Sequence, residues 1–210
     1  MVEIEISEVF HVLIVIMNYI GIFAFAVSGV LKGIEKNMDI FGCSFLGFCT
    51  AFGGGMIRDI IAGNVPPLAL RNETDFLVAL FAVIFAFILY KKITKNTQLL
   101  LYFDAIGLGA FCALGGKVAL DLDLGPLAVI FACLFTGVGG GMLRDVFAQE
   151  IPIIFKKEIY ATAVLIGAVF LYVSQFFMLE DLCIFLSALI TITLRILAIK
   201  FDWHLPKLKL

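Results

Sequence analysis

Charge is scarce in this chain: 15% of its 210 residues are Asp, Glu, Lys or Arg, and histidine occurs only as His11 and His204. With so few ionisable groups, no nucleophile and base fall into a pattern that supports acyl, phosphoryl or proton-transfer chemistry, which argues against an enzyme. Five cysteines, Cys43, Cys49, Cys112, Cys133 and Cys183, lie within apolar runs, are odd in number and lack metal-ligand spacing. They read as small packing residues, and no metal site is expected. No basic stripe marks a nucleic-acid surface. The first apolar run follows Glu3, Glu5 and Glu8 rather than a basic flank and has no cleavage site, so it is expected to stay as a membrane span.

Apolar side chains are what the chain has in abundance. A hydrophobic share of 62% and a mean hydropathy of +1.11 exclude a water-soluble globule. Seven apolar windows lie at about 8–31, 40–62, 75–90, 98–119, 126–148, 159–178 and 182–200. At a rise of 1.5 Å per residue these approach a hydrocarbon core of about 30 Å. They are apolar all round rather than alternating, which favours helices over barrel strands. The expectation is an all-α polytopic membrane protein of seven transmembrane helices, one domain over residues 1–210. Ten lysines, among them Lys32, Lys36, Lys91, Lys156 and Lys157, fall on one side, against Arg71 and Lys117 on the other. That bias places the N-terminus outside and the C-terminus in the cytoplasm, as for a multi-pass protein of the cell's inner (plasma) membrane. Acidic residues, including Asp75, Asp121 and Glu180, gather opposite and read as a solvated loop surface. Arg195, near the inner end of the last window, reads as a snorkelling side chain.

One decapeptide occurs twice, as GGGMIRDIIA at 53–62 and GGGMLRDVFA at 139–148, identical at seven of ten positions and 86 residues apart. At the same offset, 21–66 aligns with 107–152 without a gap at 14 identities in 46, including Gly21/Gly107, Phe25/Phe111, Gly29/Gly115, Thr50/Thr136 and Pro66/Pro152. The offset covers three windows, an odd number, so the second copy crosses the membrane in the opposite sense. The result is an inverted 3+3 repeat, about 8–90 and about 98–178, with an extra helix at about 182–200.

Gly53, Gly54 and Gly55 sit just past the centre of the second window, and Gly139, Gly140 and Gly141 just past that of the fifth. Glycine weakens a helix by roughly 1 kcal/mol per residue. The second and fifth helices are therefore expected to kink or unwind there and turn carbonyls toward a cation pathway. The other reading is close helix contact along Gly47, Ala51 and Gly55 and along Cys133, Gly137 and Gly141. Arg58-Asp59 and Arg144-Asp145 follow the triplets, and read either as internal salt bridges or snorkelling side chains, or as charges that set the field of a pore or form its gate. Adjacent helix positions diverge by about 100°, so each Arg is expected to pair beyond its own neighbour. Depth matching pairs Arg144 with Asp104; the repeat maps Asp104 onto Asn18, so Arg58 is expected beside an uncharged amide.

The doubled GGGxxRD segments, the 3+3+1 plan and the length are similar to those of prokaryotic members of the trimeric intracellular cation (TRIC) channel family, also catalogued as a bacterial membrane family with a glycine-transporter-like domain. The resemblance covers nearly the whole chain. It implies a homotrimer in membrane lipid, with one pore per protomer lined by the second and fifth spans at the six glycines, together with the first and fourth. It further implies permeation by monovalent cations such as K⁺ and Na⁺, without a cofactor. The Lys-Glu-Val string that animal members use toward phosphoinositides does not occur; Lys157-Glu158-Ile159 comes nearest. A secondary transporter of a small zwitterion such as glycine is the other function that an inverted repeat supports.

Overall fold

The computed structural model describes the backbone of residues 2–93, 98–156 and 159–203 and, within these, the side chains of all but 2–9, 11, 89 and 91–93. The side chains of Glu3, Glu5, Glu8, His11 and Lys91 and the residues Lys157, Glu158 and His204 lie outside that set. Every regular element among the described residues is helical: α1 (Val2–Glu35), α2 (Ile40–Ile61), α3 (Glu73–Ile93), α4 (Leu99–Asp121), α5 (Pro126–Phe147), α6 (Ile153–Lys156), α7 (Ala161–Ser174) and α8 (Glu180–Lys200), with a 3-10 turn at Leu68–Leu70. Helix starts follow local chemistry. The Asp39 carboxylate accepts from Gly42 N at 2.6 Å to cap α2, and Pro126 occupies the first turn of α5, where its missing N–H costs nothing.

Among the described residues, five helices are long and apolar enough to cross a bilayer: Val12–Glu35 of α1, α2, α4, α5 and α8. The sixth expected span is shorter than its hydropathy window, because α7 has 14 residues and rises about 21 Å. The chain before it forms the short α6 and a turn, which hydropathy does not resolve. Fully apolar outer positions such as Phe41, Ile88 and Phe177 are exposed, as suits a surface facing lipid.

The repeat is written into the backbone. Four non-helical positions take left-handed φ at pairs 86 apart, Asn37 (56°) with Asp123 (52°) and Gly63 (74°) with Gln149 (55°). The bundle centre is α1, α2, α4 and α5; α3 flanks α1, α7 flanks α4 and α5, and α8 lies on α4 and α7 with no counterpart in the first half.

Side-chain contacts obey the same offset. Gly21 receives Phe111 and Gly107 receives Phe25, and the two rings meet with centroids 5.2 Å apart. Gly29 lies against Thr50 and Gly115 against Thr136, and each threonine hydroxyl donates to the carbonyl four residues back at 2.7 Å. At the centre a Cβ on Gly54 would collide with the Thr136 carbonyl, and one on Gly140 with the Thr50 carbonyl. The triplets therefore serve the contact of α2 with α5, and the expected unwinding is absent: both helices run without interruption through their glycines. An unmade backbone hydrogen bond in hydrocarbon costs several kcal/mol, more than three glycines lose in propensity, so the helix persists.

At Gly109 and Gly167 the packing departs from the symmetry. Gly109 and Gly167 make room for Ile192 and Thr191 of α8. Their repeat equivalents are Phe23 and Phe81, whose rings pack at 6.1 Å and fill the corresponding place in the first half.

Gly140→Leu must drive a side chain into backbone and is expected to destabilise the protein by at least about 2 kcal/mol in detergent unfolding. Gly55→Ala, whose Cβ would meet only Arg58 Nη2 at 3.7 Å, is expected to leave the unfolding midpoint within error.

Candidate functional site

Residues four apart share a helix face, so Gly54 and Gly140 at the crossing set the directions of Arg58 and Arg144 one turn on. Each Arg curls back on its own neighbour, contrary to the expectation from helical divergence. Arg58 Nη2 lies 2.7 Å from Asp59 Oδ1, and Arg144 Nε donates to Asp145 Oδ1 at 2.9 Å. A guanidinium on a long stem reaches round the helix, and the carboxylate is held in place by a second role. Asp59 Oδ2 accepts from Leu68 N at 2.9 Å and Asp145 Oδ2 from Ile153 N at 2.8 Å. Each Asp thus fastens the loop beyond Pro66 or Pro152 to its helix end.

From here the halves differ. Arg144 Nη1 also donates to Asp104 Oδ1 at 2.6 Å, the pairing that depth matching predicts, and to Ser28 Oγ at 3.1 Å. Arg144, Asp104 and Ser28 are 0% exposed. Gly141 keeps a gap beside them: a Cβ there would lie 2.9 Å from the Tyr160 hydroxyl and 3.3 Å from Asp104 Oδ1. Arg195 does not snorkel. It is buried, its Cζ 4.9 Å from the Tyr160 ring centroid in cation–π geometry, because α8 turns that face toward α4 and α7. Two guanidiniums and two carboxylates thus lie in a buried region, where Asp104 Oδ2, Arg144 Nη2 and Arg195 Nε make no hydrogen bond to the described protein groups.

In the first half, Asn18 stands for Asp104 and Leu114 for Ser28, while the Tyr160 position is Thr74. Asn18 does not turn to Arg58 as expected; its amide donates to Asp75 Oδ1 of α3 at 3.1 Å. A cavity of about 530 Å³ opens where the second half has its cluster. Asn18, Gly55, Arg58, Asp59, Asp75 and Lys117 line it, exposed Arg71, Asn72 and Asp121 stand at its mouth, and it reaches in to Phe111 and Leu114. Of the six triplet glycines, only Gly55 lines this space; Gly141 faces the cluster, and Gly53, Gly54, Gly139 and Gly140 pack α2 against α5. The acidic residues are not simply solvated loop charge, since Lys117 reaches Asp121 at 2.8 Å and Glu180 at 3.5 Å.

Beyond Arg144 a second clasp closes the end of α1. Glu150 meets Lys36 at 2.6 Å and Lys32 at 2.9 Å, and Lys32, counted among the loop lysines, is buried. These hydrogen bonds, Lys36 first, hold the Glu150 carboxyl at about 2 against an ordinary 4.5. Sequence reasoning did not single out Ser28, Glu150 or Tyr160 and misread Asp75 and Arg195; none of the five recurs across the repeat. Among the described residues no three His, Cys, Asp or Glu converge to hold a metal.

A bundle of apolar helices built on an inverted repeat, with an open cavity lined by charged side chains on one half and a buried ion cluster on the other, is a membrane protein of the pore or transporter class. A family model described as "Glycine transporter" matches residues 15–91 and 101–175, two matches beginning 86 residues apart. The UPF0126 inner membrane protein YadS of Escherichia coli K12 is 35% identical over 193 residues, covering 90% of this chain and 92% of that protein. The UPF0126 membrane protein YvgT of Bacillus subtilis is 36% identical, covering 91% and 94%. A prokaryotic TRIC channel crystallised in 0.5 M KCl superposes with a TM-score of 0.87 at 38% identity over 93% of this chain and all of the other. The TRIC orthologue from Rhodobacter sphaeroides gives a TM-score of 0.85 at 30% identity, over 91% of this chain and 99% of the other. The chain belongs to the prokaryotic TRIC channel family, a family of ion channels rather than enzymes.

Two outcomes follow from the ion geometry. Asp104→Asn strands Arg144 and Arg195 against one carboxylate and is expected to cost about 3–5 kcal/mol of stability; Asp104→Asn with Arg144→Met is expected to recover part of it, in a double-mutant unfolding cycle. The Glu150 clasp lowers that carboxyl's folded pKa, so its stabilisation is complete above about pH 4.5 and lost as pH falls toward 2. Glu150→Gln is expected to remove this part of the acid dependence of thermal unfolding and leave the rest of the curve in place.

Proposed function

We propose that this cation channel passes K⁺ and Na⁺ through a pathway of its own in each protomer of a homotrimer, and that the arrangement described is its closed state. The observation that carries the reading is the contrast between equivalent half-sites, an open cavity at Arg58 and a sealed cluster at Arg144. The pathway enters at Arg71 and Asp121, passes Gly55, crosses the Phe25–Phe111 contact at the pseudo-two-fold centre and leaves past Arg144. With the N-terminus outside, the cavity faces the exterior and the cluster the cytoplasm.

Closure has a physical cause. The buried Arg144 guanidinium fills the exit together with Asp104 and Ser28, all 0% exposed, so a hydrated cation finds no space there, and a charge-balanced cluster offers nothing to offset its lost hydration. Asp104 and Asp145 hold that charge across the exit. Opening is the separation of Arg144 from Asp104, which admits water and leaves a carboxylate facing the ion in place of a guanidinium.

Bilayer recordings under K⁺, Na⁺ and Cl⁻ gradients test the proposal. It predicts unitary currents that reverse near the cation equilibrium potentials; saturable, gradient-coupled glycine uptake without unitary currents contradicts it and favours a carrier. Gly55→Leu projects into the cavity rather than into packed backbone, and is expected to keep the assembly folded while lowering unitary conductance several-fold.

A further inference from the structure

We infer that α8, the helix outside the repeat, holds the gate shut through Arg195, whose guanidinium balances the charge of the closed Arg144–Asp104–Asp145 cluster and is seated there by Tyr160. The inference rests on the reading of that cluster as the closed gate of a cation channel. Arg144 faces two carboxylates at 2.6 and 2.9 Å, so those three side chains alone carry an excess negative charge in a fully buried site. Arg195, on a helix that packs on α4 and α7, stacks on Tyr160, whose hydroxyl shares the space beside Gly141 with Asp104 Oδ1. The residue is fixed in place by the packing of its helix: Ser187 Oγ donates to the Gly167 carbonyl of α7 at 2.9 Å, and Ile192 fills the room left by Gly109 of α4.

Arg195 does not line the cavity. It is a positioning residue that acts on the balance between closed and open rather than on the passing ion. In the closed state the cluster is dry, and an unbalanced charge there is costly; once the exit opens, water screens it. Removing the Arg195 charge therefore raises the free energy of the closed state more than that of the open one. The first half has no eighth helix and places neutral Asn18 where Asp104 would be, so its half-site needs no such counter-charge and stands open.

The test uses the full-length protein in planar bilayers with symmetric KCl. Arg195→Met is expected to raise the ratio of open to closed time at least tenfold with unitary conductance unchanged, and Arg195→Lys, which keeps the charge, to stay within about threefold of the parent. An unchanged or lower open ratio in Arg195→Met, or an altered unitary conductance, overturns the inference. Charge balance is read separately by thermal unfolding of Arg195→Met, Asp104→Asn and the double variant. Restored neutrality is expected to make the double variant melt at or above Arg195→Met, whereas melting below it counts against the inference, including where the single variant does not fold. Absence of current from the parent protein removes the channel reading instead, and the unfolding comparison still decides whether Arg195 balances the cluster.

Discussion

Where α2 crosses α5, Gly54 faces the Thr136 carbonyl and Gly140 the Thr50 carbonyl, so two backbones touch with no side chain between them. In lipid no hydrophobic force draws apolar helices together, and close backbone packing must supply the association. Any Cβ at these positions separates the halves. The crossing also aims the charges, because Arg58 and Arg144 stand one turn beyond it on the same helix faces. Each Asp that follows ties its loop back to the helix end, so glycine, arginine, aspartate and proline recur together as one mechanical unit.

On that symmetric frame, the proposed function rests on the departures. Asn18 for Asp104, Leu114 for Ser28 and an eighth helix on only one half turn equivalent places into a cavity and a salt-bridged seal. Burying Arg144 is tolerable because Asp104, Asp145 and Ser28 all meet it; a guanidinium with one partner fewer would draw in water. On the reading proposed above, the cluster is a seal that is strong when complete and sensitive to the loss of any one charge, as a gate must be.

Identities at the 86-residue offset made much of this legible. Gly21 and Phe111, Gly29 and Thr50, and the two triplets repeat because each contact is made twice, and the matched depths of Asp104 and Arg144 foretold their pairing. Close contact at the triplets is one of the two readings of the sequence, and the expected unwinding does not follow because helix propensity is weighed against water, whereas in a membrane the backbone has nowhere else to bond. Arg195 and Tyr160 stayed hidden for another reason. A hydropathy window gives a helix's length but not its rotation, and whether Arg195 snorkels or is buried depends on which face of α8 meets α4 and α7. Glu150 was not singled out because its partners lie more than a hundred residues away, on α1 and just beyond its end.

The central claim is that equivalent half-sites differ in access to water, and one pair of substitutions measures it directly. Ser28 and Leu114 occupy the same position in the two repeats; Ser28 touches Arg144, and Leu114 lines the cavity. Ser28→Cys and Leu114→Cys, each in a background where the five native cysteines are replaced, can be titrated in liposomes with a small hydrophilic thiol reagent supplied to both faces. The account predicts rapid modification at 114 and slow modification at 28, rising in proportion to open probability when Arg195 is replaced by Met. Equal rates at the two positions, with the channel closed, would contradict it.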